Sequence, residues 1–455
     1  MKSKKAVLTE GKIRITLIKL ALPMLAGILG IVLLNLIDTF FIGQLGTTQL
    51  AAISYTFPVI LFISSISHGI GAGTSAIVSR AIGKKNHQQA RRLTTDSLLL
   101  ALVLVIIFVV IGILTIEPVF KLLGAETEVM PYIKSYMEIW YLGMFFVIFP
   151  IIGNNAIRAL GDTKTPGLIM IIAALINLAL DPLLIFGIGF FPELGIAGAA
   201  IATVIAKMAV FVIAIYVLGI REKLIVLHKV PLRKVLISWK SILYIGVPTA
   251  VTRMVIPAAT GVTTALLSGY GTAAVAGYGV ATRIEFFALV FVNALGSVIG
   301  PFVGQNLGAK KISRIKEGLS FSEKLSLFIG ALSFLLLAVL ARPIGRLFND
   351  DPAVISNITL YLRIVPLAYG FKGILLITTT ILNVLNKPLV ASGLNVLQMF
   401  VIYLPLAFLG SFLLGIPGIF AGLTVSYFIS GIVSHVVLKS SLNEKAIITE
   451  SILEH

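Results

Sequence analysis

Apolar stretches of about 20 residues or more recur along the whole chain, each long enough to cross about 30 Å of hydrocarbon as an α-helix. The strands of a membrane barrel would alternate polar and apolar residues over about ten positions, and no such pattern is present. The sequence therefore predicts an all-α integral membrane protein. Composition agrees: 58% of the 455 residues are hydrophobic and only 12% are charged. With no cysteine, disulfides, thiolate metal sites and cysteine nucleophiles are excluded together. No Walker loop is present, so ATP is not the energy source, and "HGIGAGTS" (68–75) lies inside an apolar span where small residues serve close helix packing. No enzyme signature and no cofactor are expected.

About twelve spans are predicted, near 15–42, 48–79, 94–117, 129–154, 166–188, 194–219, 240–268, 273–304, 321–344, 353–383, 388–414 and 416–438. "MKSKKAVLTEGKIRITLIKLALP" is basic and then apolar with no small-residue cleavage site, so it reads as a retained first helix. The net charge of +17 is concentrated in alternate loops: the N-terminus with Lys2, Lys4, Lys5, Lys12 and Arg14, then "RAIGKKNHQQARR" (80–92), "RALGDTKTP" (158–166), "REKLIVLHKVPLRK" (221–234) and "GAKKISRIK" (308–316), with Lys439 and Lys445 in the tail. The positive-inside bias then puts both termini in the cytoplasm, which demands an even number of spans. Charge reports topology rather than a nucleic-acid partner.

The two halves resemble each other at a constant shift. Pro23 answers Pro248, Gly46 answers Gly271 and Gly83 answers Gly308, each at a shift of 225 (248 − 23, 271 − 46, 308 − 83), while Pro166 answers Pro388 at a shift of 222, which implies a short deletion. Six spans per copy make the repeat parallel, giving N- and C-terminal lobes around a central cavity, an architecture of transporters that alternate access by rocking one lobe against the other. The expected division is 1–219 for the first lobe, 220–239 for a cytoplasmic linker and 240–455 for the second lobe and its short tail.

Ionisable residues inside a membrane are costly and mark ion or substrate paths. Asp38 in the first span and Asp181 in the fifth are the candidates, with Asn35 three residues before the former and Asn177 four before the latter, on one helical face with it. Pro182 frees a backbone carbonyl beside the second acid. In the repeat Asp38 maps to Thr263 and Asp181 to Tyr403 or its neighbour, so the second lobe lacks both acids, as function rather than scaffolding would have it. Arg283 and Glu285 either pair or line the cavity, Glu138 sits at a wet rim, His68 reads as a hydrogen-bonded core histidine, and Arg253 and Arg363 balance charge or meet an anionic ligand. Lys207, one helical turn beyond Thr203, is a candidate counter-ion to an aspartate.

These residues resemble the multidrug and toxic compound extrusion (MATE) family over nearly the whole chain, through "LPMLAG", "NLIDTFFIGQLGTTQLAA", "GNNAIRALGDTKTP", "NLALDP", "GAAIAT" and "VGQNLGAKK" in order. An acid in the first span, an Asn/Asp pair in the fifth and Arg363 in place of an acid in the tenth are similar to the prokaryotic DNA-damage-inducible (DinF-like) branch. The resemblance implies an antiporter in a prokaryotic plasma (cell inner) membrane that exports amphipathic, often cationic compounds against protons or Na⁺. It implies a cation site of Asp38, Asn177, Asp181 and Thr203, which would also hold Na⁺ if Na⁺ is the coupling ion, with Tyr136 and Asn154 nearby; Lys207 departs from the family pattern, and with Asn35, Arg283 and Glu285 it is a candidate for cavity or coupling support from its place in the spans. A monomer is expected, with the lipid bilayer and small drug-like substrates as partners. The rival readings are a flippase for lipid-linked precursors in the same superfamily, which would want an Arg-rich cavity, and a channel, which would want symmetric polar stripes.

Overall fold

The computed structural model describes residues 7–226 and 231–442, apart from some side chains of the first, second and eighth helices, that of Asn35 among them. Lys2, Lys4, Lys5 and Lys445 also lie outside the described residues. The first half comprises α1 (Ile13–Gly43), α2 (Thr47–Gly83), α3 (His87–Leu122), α4 (Met130–Leu142), α5 (Met144–Ala159), α6 (Lys164–Phe186) and α7 (Gly195–Ile215). The second comprises α8 (Leu232–Ser268), α9 (Thr272–Ala288), α10 (Val290–Gly308), α11 (Ile312–Phe348), α12 (Pro352–Ile364), α13 (Tyr369–Val384), α14 (Pro388–Val396), α15 (Leu404–Leu414) and α16 (Ile416–Ser441). Among the described residues there is no strand. Among the described residues eleven spans are long and apolar enough to cross a membrane, and α4 with α5, bent by 49° at Gly143, makes a twelfth. Exposed apolar side chains run down α3 (Ile106, Val110, Leu114) and its repeat partner α11 (Phe328, Leu335, Val339), as lipid-facing helices require.

The repeat is written in the backbone. α2 and α9–α10 begin and end at the shift read from the sequence (272 − 47, 308 − 83), and α3 and α11 begin at the same shift (312 − 87). The left-handed residues recur with it: Gly46 and Gly271, Lys85 and Lys310, Gly161 and Asn386 all have positive φ. Because Gly161 and Asn386 keep the same shift (386 − 161), the three missing residues fall between them and Pro166 and Pro388, in the loop after α5 and not in a span.

That longer loop is cross-linked. Thr165 donates to Asp162 through both its N–H (3.0 Å) and its hydroxyl (2.6 Å), and Arg221 pairs with the same carboxylate. Burial pushes the Asp162 carboxyl up, but the bonds from Thr165 and the Arg221 guanidinium outweigh it and hold the group below its ordinary value of 3.8. A depressed carboxyl stabilises the fold above its unfolded pKa, and the gain is lost as pH falls through the lower folded value. Arg221→Gln is expected to lower the melting temperature by roughly one to three degrees at neutral pH, a small effect because the pair is partly exposed. The difference from wild type should close below pH 3.8 in thermal unfolding of the purified protein.

The chain divides into two compact units, and both divisions fall inside helices. One unit comprises Leu22–Ala250 and the other Leu8–Ala21 with the chain from Val251. The reason is specific bonding. In the second unit Gln305 accepts from the Leu8 N–H at 3.1 Å, Asn306 donates to the Leu8 carbonyl, and Lys311 and Arg314 donate to the carbonyls of Thr9, Glu10 and Gly11. In the first unit Val226 donates to the Thr95 hydroxyl at 2.9 Å, and Trp239 in α8 donates to the Asp96 carbonyl at 2.8 Å. The start of each copy's first helix thus packs with the other copy, near Pro23 in α1 and Pro248 in α8.

Candidate functional site

Within the first unit, α1 and α6 approach at backbone distance. A Cβ on Gly27 would lie 2.9 Å from the Gly167 carbonyl oxygen, and one on Gly167 would strike the Pro23 carbonyl. Without a hydrophobic drive between helices in lipid, such small-residue contacts set which helices meet. Further along the same two helices stand the acids. Asp181 and Asn177 are buried, and the Asn177 amide donates to Asp181 Oδ1 at 2.7 Å, one helical turn apart as the spacing predicts. The charges of Asp38 and Asp181 act on each other, and both act on the Tyr136 hydroxyl of α4, which is buried beside them. Asp38 Oδ1, Asp181 Oδ2 and, on α5, Asn154 Oδ1 are buried and find no partner among the described residues.

The structure therefore brings Asp38, Asn177, Asp181 and Tyr136 together. Thr203 is half-buried on α7, beside the packed stripe of Ala199, Ala202 and Ala206, and donates to neither carboxylate. Lys207, one turn further along α7, has no charge interaction with either acid. Two carboxylates thus stand in one low-dielectric site with orphaned oxygens, and neither makes an ion pair with a cationic side chain among the described residues. No three His, Asp or Glu side chains converge there among the described residues.

The second unit answers position by position. Thr263 and Tyr403, the repeat partners of Asp38 and Asp181, hydrogen-bond each other at 2.8 Å, so the same geometry is closed there by neutral groups. Tyr361, the repeat partner of Tyr136, donates to Glu285. Glu285 does not pair with Arg283, which lies exposed two residues away on the other side of α9. Its partner is Lys372 on α13, which sequence reasoning did not single out although a lysine inside the apolar "YGFKGILL" was the available signal. His68 is exposed rather than a core residue, because its neighbours Gly69 and Gly73 are the positions whose absent side chains let α2 meet α8 at Gly246 and Ile242. Glu138 and Arg253 are exposed, and Arg363 donates to the Ala338 carbonyl at 3.4 Å.

Comparison with known proteins follows the same repeat. The MatE family model matches twice, over residues 23–183 and 248–409, and the two matches start at the repeat shift (248 − 23). A FAD transporter of Shewanella oneidensis is 40% identical over 416 residues, covering 91% of this chain and 92% of its own length. The probable multidrug resistance protein YoeA of Bacillus subtilis is 27% identical over 403 residues, with 87% of each chain covered. Among solved structures, the Vibrio cholerae MATE transporter VcmN in the bent form superposes with a TM-score of 0.90 at 31% identity, over 94% of this chain and 97% of that one.

Proposed function

Because the chain belongs to the MatE family of multi-pass membrane transporters, we propose that it is a cation-coupled antiporter, DinF-like in placing its coupling site in the first repeat and with both termini in the cytoplasm. The observation that carries this reading is the buried pair Asp38 and Asp181, in electrostatic contact and each with an unpartnered oxygen. Both carboxylates cannot remain charged there without a cation. A proton or Na⁺ entering from outside neutralises the pair, and its departure inward restores the charge. α1 carries Asp38 and contains Pro23, which removes a backbone bond where the helix can repack. Repacking on cation entry lowers affinity for the exported compound, and the reciprocal link makes the compound's binding release the cation.

The test is transport in vesicles holding the purified protein, with pH or Na⁺ gradients imposed separately and ethidium as the amphipathic cation. At least one gradient should drive ethidium uphill, and the effective one names the coupling ion. If neither does, the antiporter reading fails. A flippase or a channel would leave uphill movement of ethidium absent under both gradients.

A second reading of the substrate, an acidic aromatic compound of the flavin nucleotide class, is favoured by the 40% identical relative named a FAD transporter. It is also favoured by Lys372, a partly exposed cation in a span that lies against the Tyr427 ring.

A further inference from the structure

Lys372 and Glu285 form an ion pair inside the second unit that the repeat does not require. Their counterparts in the first copy are Ile60 (285 − 225) and Val147 (372 − 225), so the six-helix unit folds without either charge. The pair is unevenly enclosed: the Glu285 side chain is 9% exposed, while the Lys372 side chain keeps 32%. The ammonium also donates to the Tyr427 hydroxyl at 2.9 Å and lies 4.7 Å from the centre of that ring. Tyr361 donates to Glu285, and Tyr278, Tyr369 and Tyr403 stand within electrostatic reach of the same carboxylate. The carboxylate is shut in, with the ammonium and the Tyr361 hydroxyl on it to offset its desolvation, while the Lys372 side chain stays partly exposed.

We propose that Lys372 anchors an acidic substituent, a carboxylate or phosphate, of an aromatic exported compound, and that Glu285 is the internal anion that holds the ammonium when no such compound is bound. This rests on the reading of the chain as an exporter. The substituent takes over the ammonium from Glu285, beside the Tyr427 ring whose centre lies 4.7 Å away. Glu285 is then left with phenols alone around it, from Tyr278, Tyr361, Tyr369, Tyr403 and Tyr427, and no cation.

Flavin mononucleotide and riboflavin share a ring and differ by a phosphate, so their affinities for the purified protein, read from flavin fluorescence, isolate the anchor. Wild type is expected to bind the mononucleotide at least about tenfold more tightly, the scale of a charge-assisted bond. Lys372→Gln should erase the preference while leaving riboflavin affinity unchanged, and Glu285→Gln should keep the preference. If Lys372→Gln misfolds around an unpaired carboxylate, the double variant with Glu285→Gln removes both charges, and it too should bind the two flavins equally. Equal binding by wild type, equal weakening of both ligands by Lys372→Gln, or displacement of the mononucleotide by phosphatidylglycerol at matched concentration each overturns the proposal, the last by assigning the cation to a lipid headgroup. Failure of the exporter reading is separate: a wild type that prefers the mononucleotide but moves no ethidium under any gradient keeps the anion site and loses the antiporter.

Discussion

Asp38→Asn is expected to abolish uphill export, bringing the ethidium accumulation ratio in vesicles to about one under any imposed gradient, as loss of linkage between cation and substrate demands. Asp181→Asn should do the same. Asparagine keeps the size of the side chain and removes its charge, so the site neither needs nor releases a cation. Downhill movement of the compound persists, because the pathway itself is intact. The same substitution relieves a buried charge whose Oδ1 has no partner, so the melting temperature should hold or rise. That second readout separates coupling from scaffolding, since a structural strut would cost stability when removed. A variant that still concentrates ethidium at the wild-type rate would sink the assignment. The repeat supplies an internal comparison: Thr263 and Tyr403 occupy the corresponding places and satisfy each other directly, so Thr263→Ala is expected to leave the accumulation ratio unchanged.

Helices were legible in the sequence because length and hydropathy alone dictate a membrane span, and the parallel repeat was legible because glycines and prolines at turns cannot drift. The breaks within spans were not legible. α4 and α5 separate at Gly143, α9 and α10 at Leu289, and α12 and α13 at a 3₁₀ turn over Val365–Ala368, each inside an apolar stretch that reads as continuous. π-helical turns at Tyr216–Arg221 and Leu397–Tyr403 are hidden for the same reason, although the second carries Tyr403. Of the acid group, Asn177 and Asp181 followed from i, i+4 spacing, whereas their approach to Asp38 and Tyr136 depends on helix crossings that no local pattern encodes. Thr203 and Lys207 show the limit from the other side: a shared helical face fixes direction around one helix, not the distance to another. The docking of residues 8–11 on Gln305, Asn306, Lys311 and Arg314 ties the start of the first repeat to the α10–α11 turn of the second, beyond the reach of any periodicity.

Gly167→Val should disable the protein through packing alone. The Cβ it adds would meet the Pro23 carbonyl, a backbone atom that no rotamer change can move aside, and valine's two further methyl groups widen the conflict. α1 and α6 must then separate. Because both run on as continuous helices, the separation carries to Asp38, about three turns past Gly27, and to Asp181, about four turns past Gly167. Overpacking of this kind costs about 1–3 kcal/mol or more. Export should fall to background and the melting temperature should drop, the reverse of the outcome for Asp38→Asn, with Gly167→Ala intermediate in both. Gly393→Ala is the control, since that glycine lies in α14 with open space where its Cβ would stand and no positive φ, and alanine improves helix propensity by about 1 kcal/mol. It should leave export intact and the melting temperature equal or higher. If Gly167→Val exports normally, the α1–α6 contact does not position the acids, and Asp38 and Asp181 are held together by something other than this crossing.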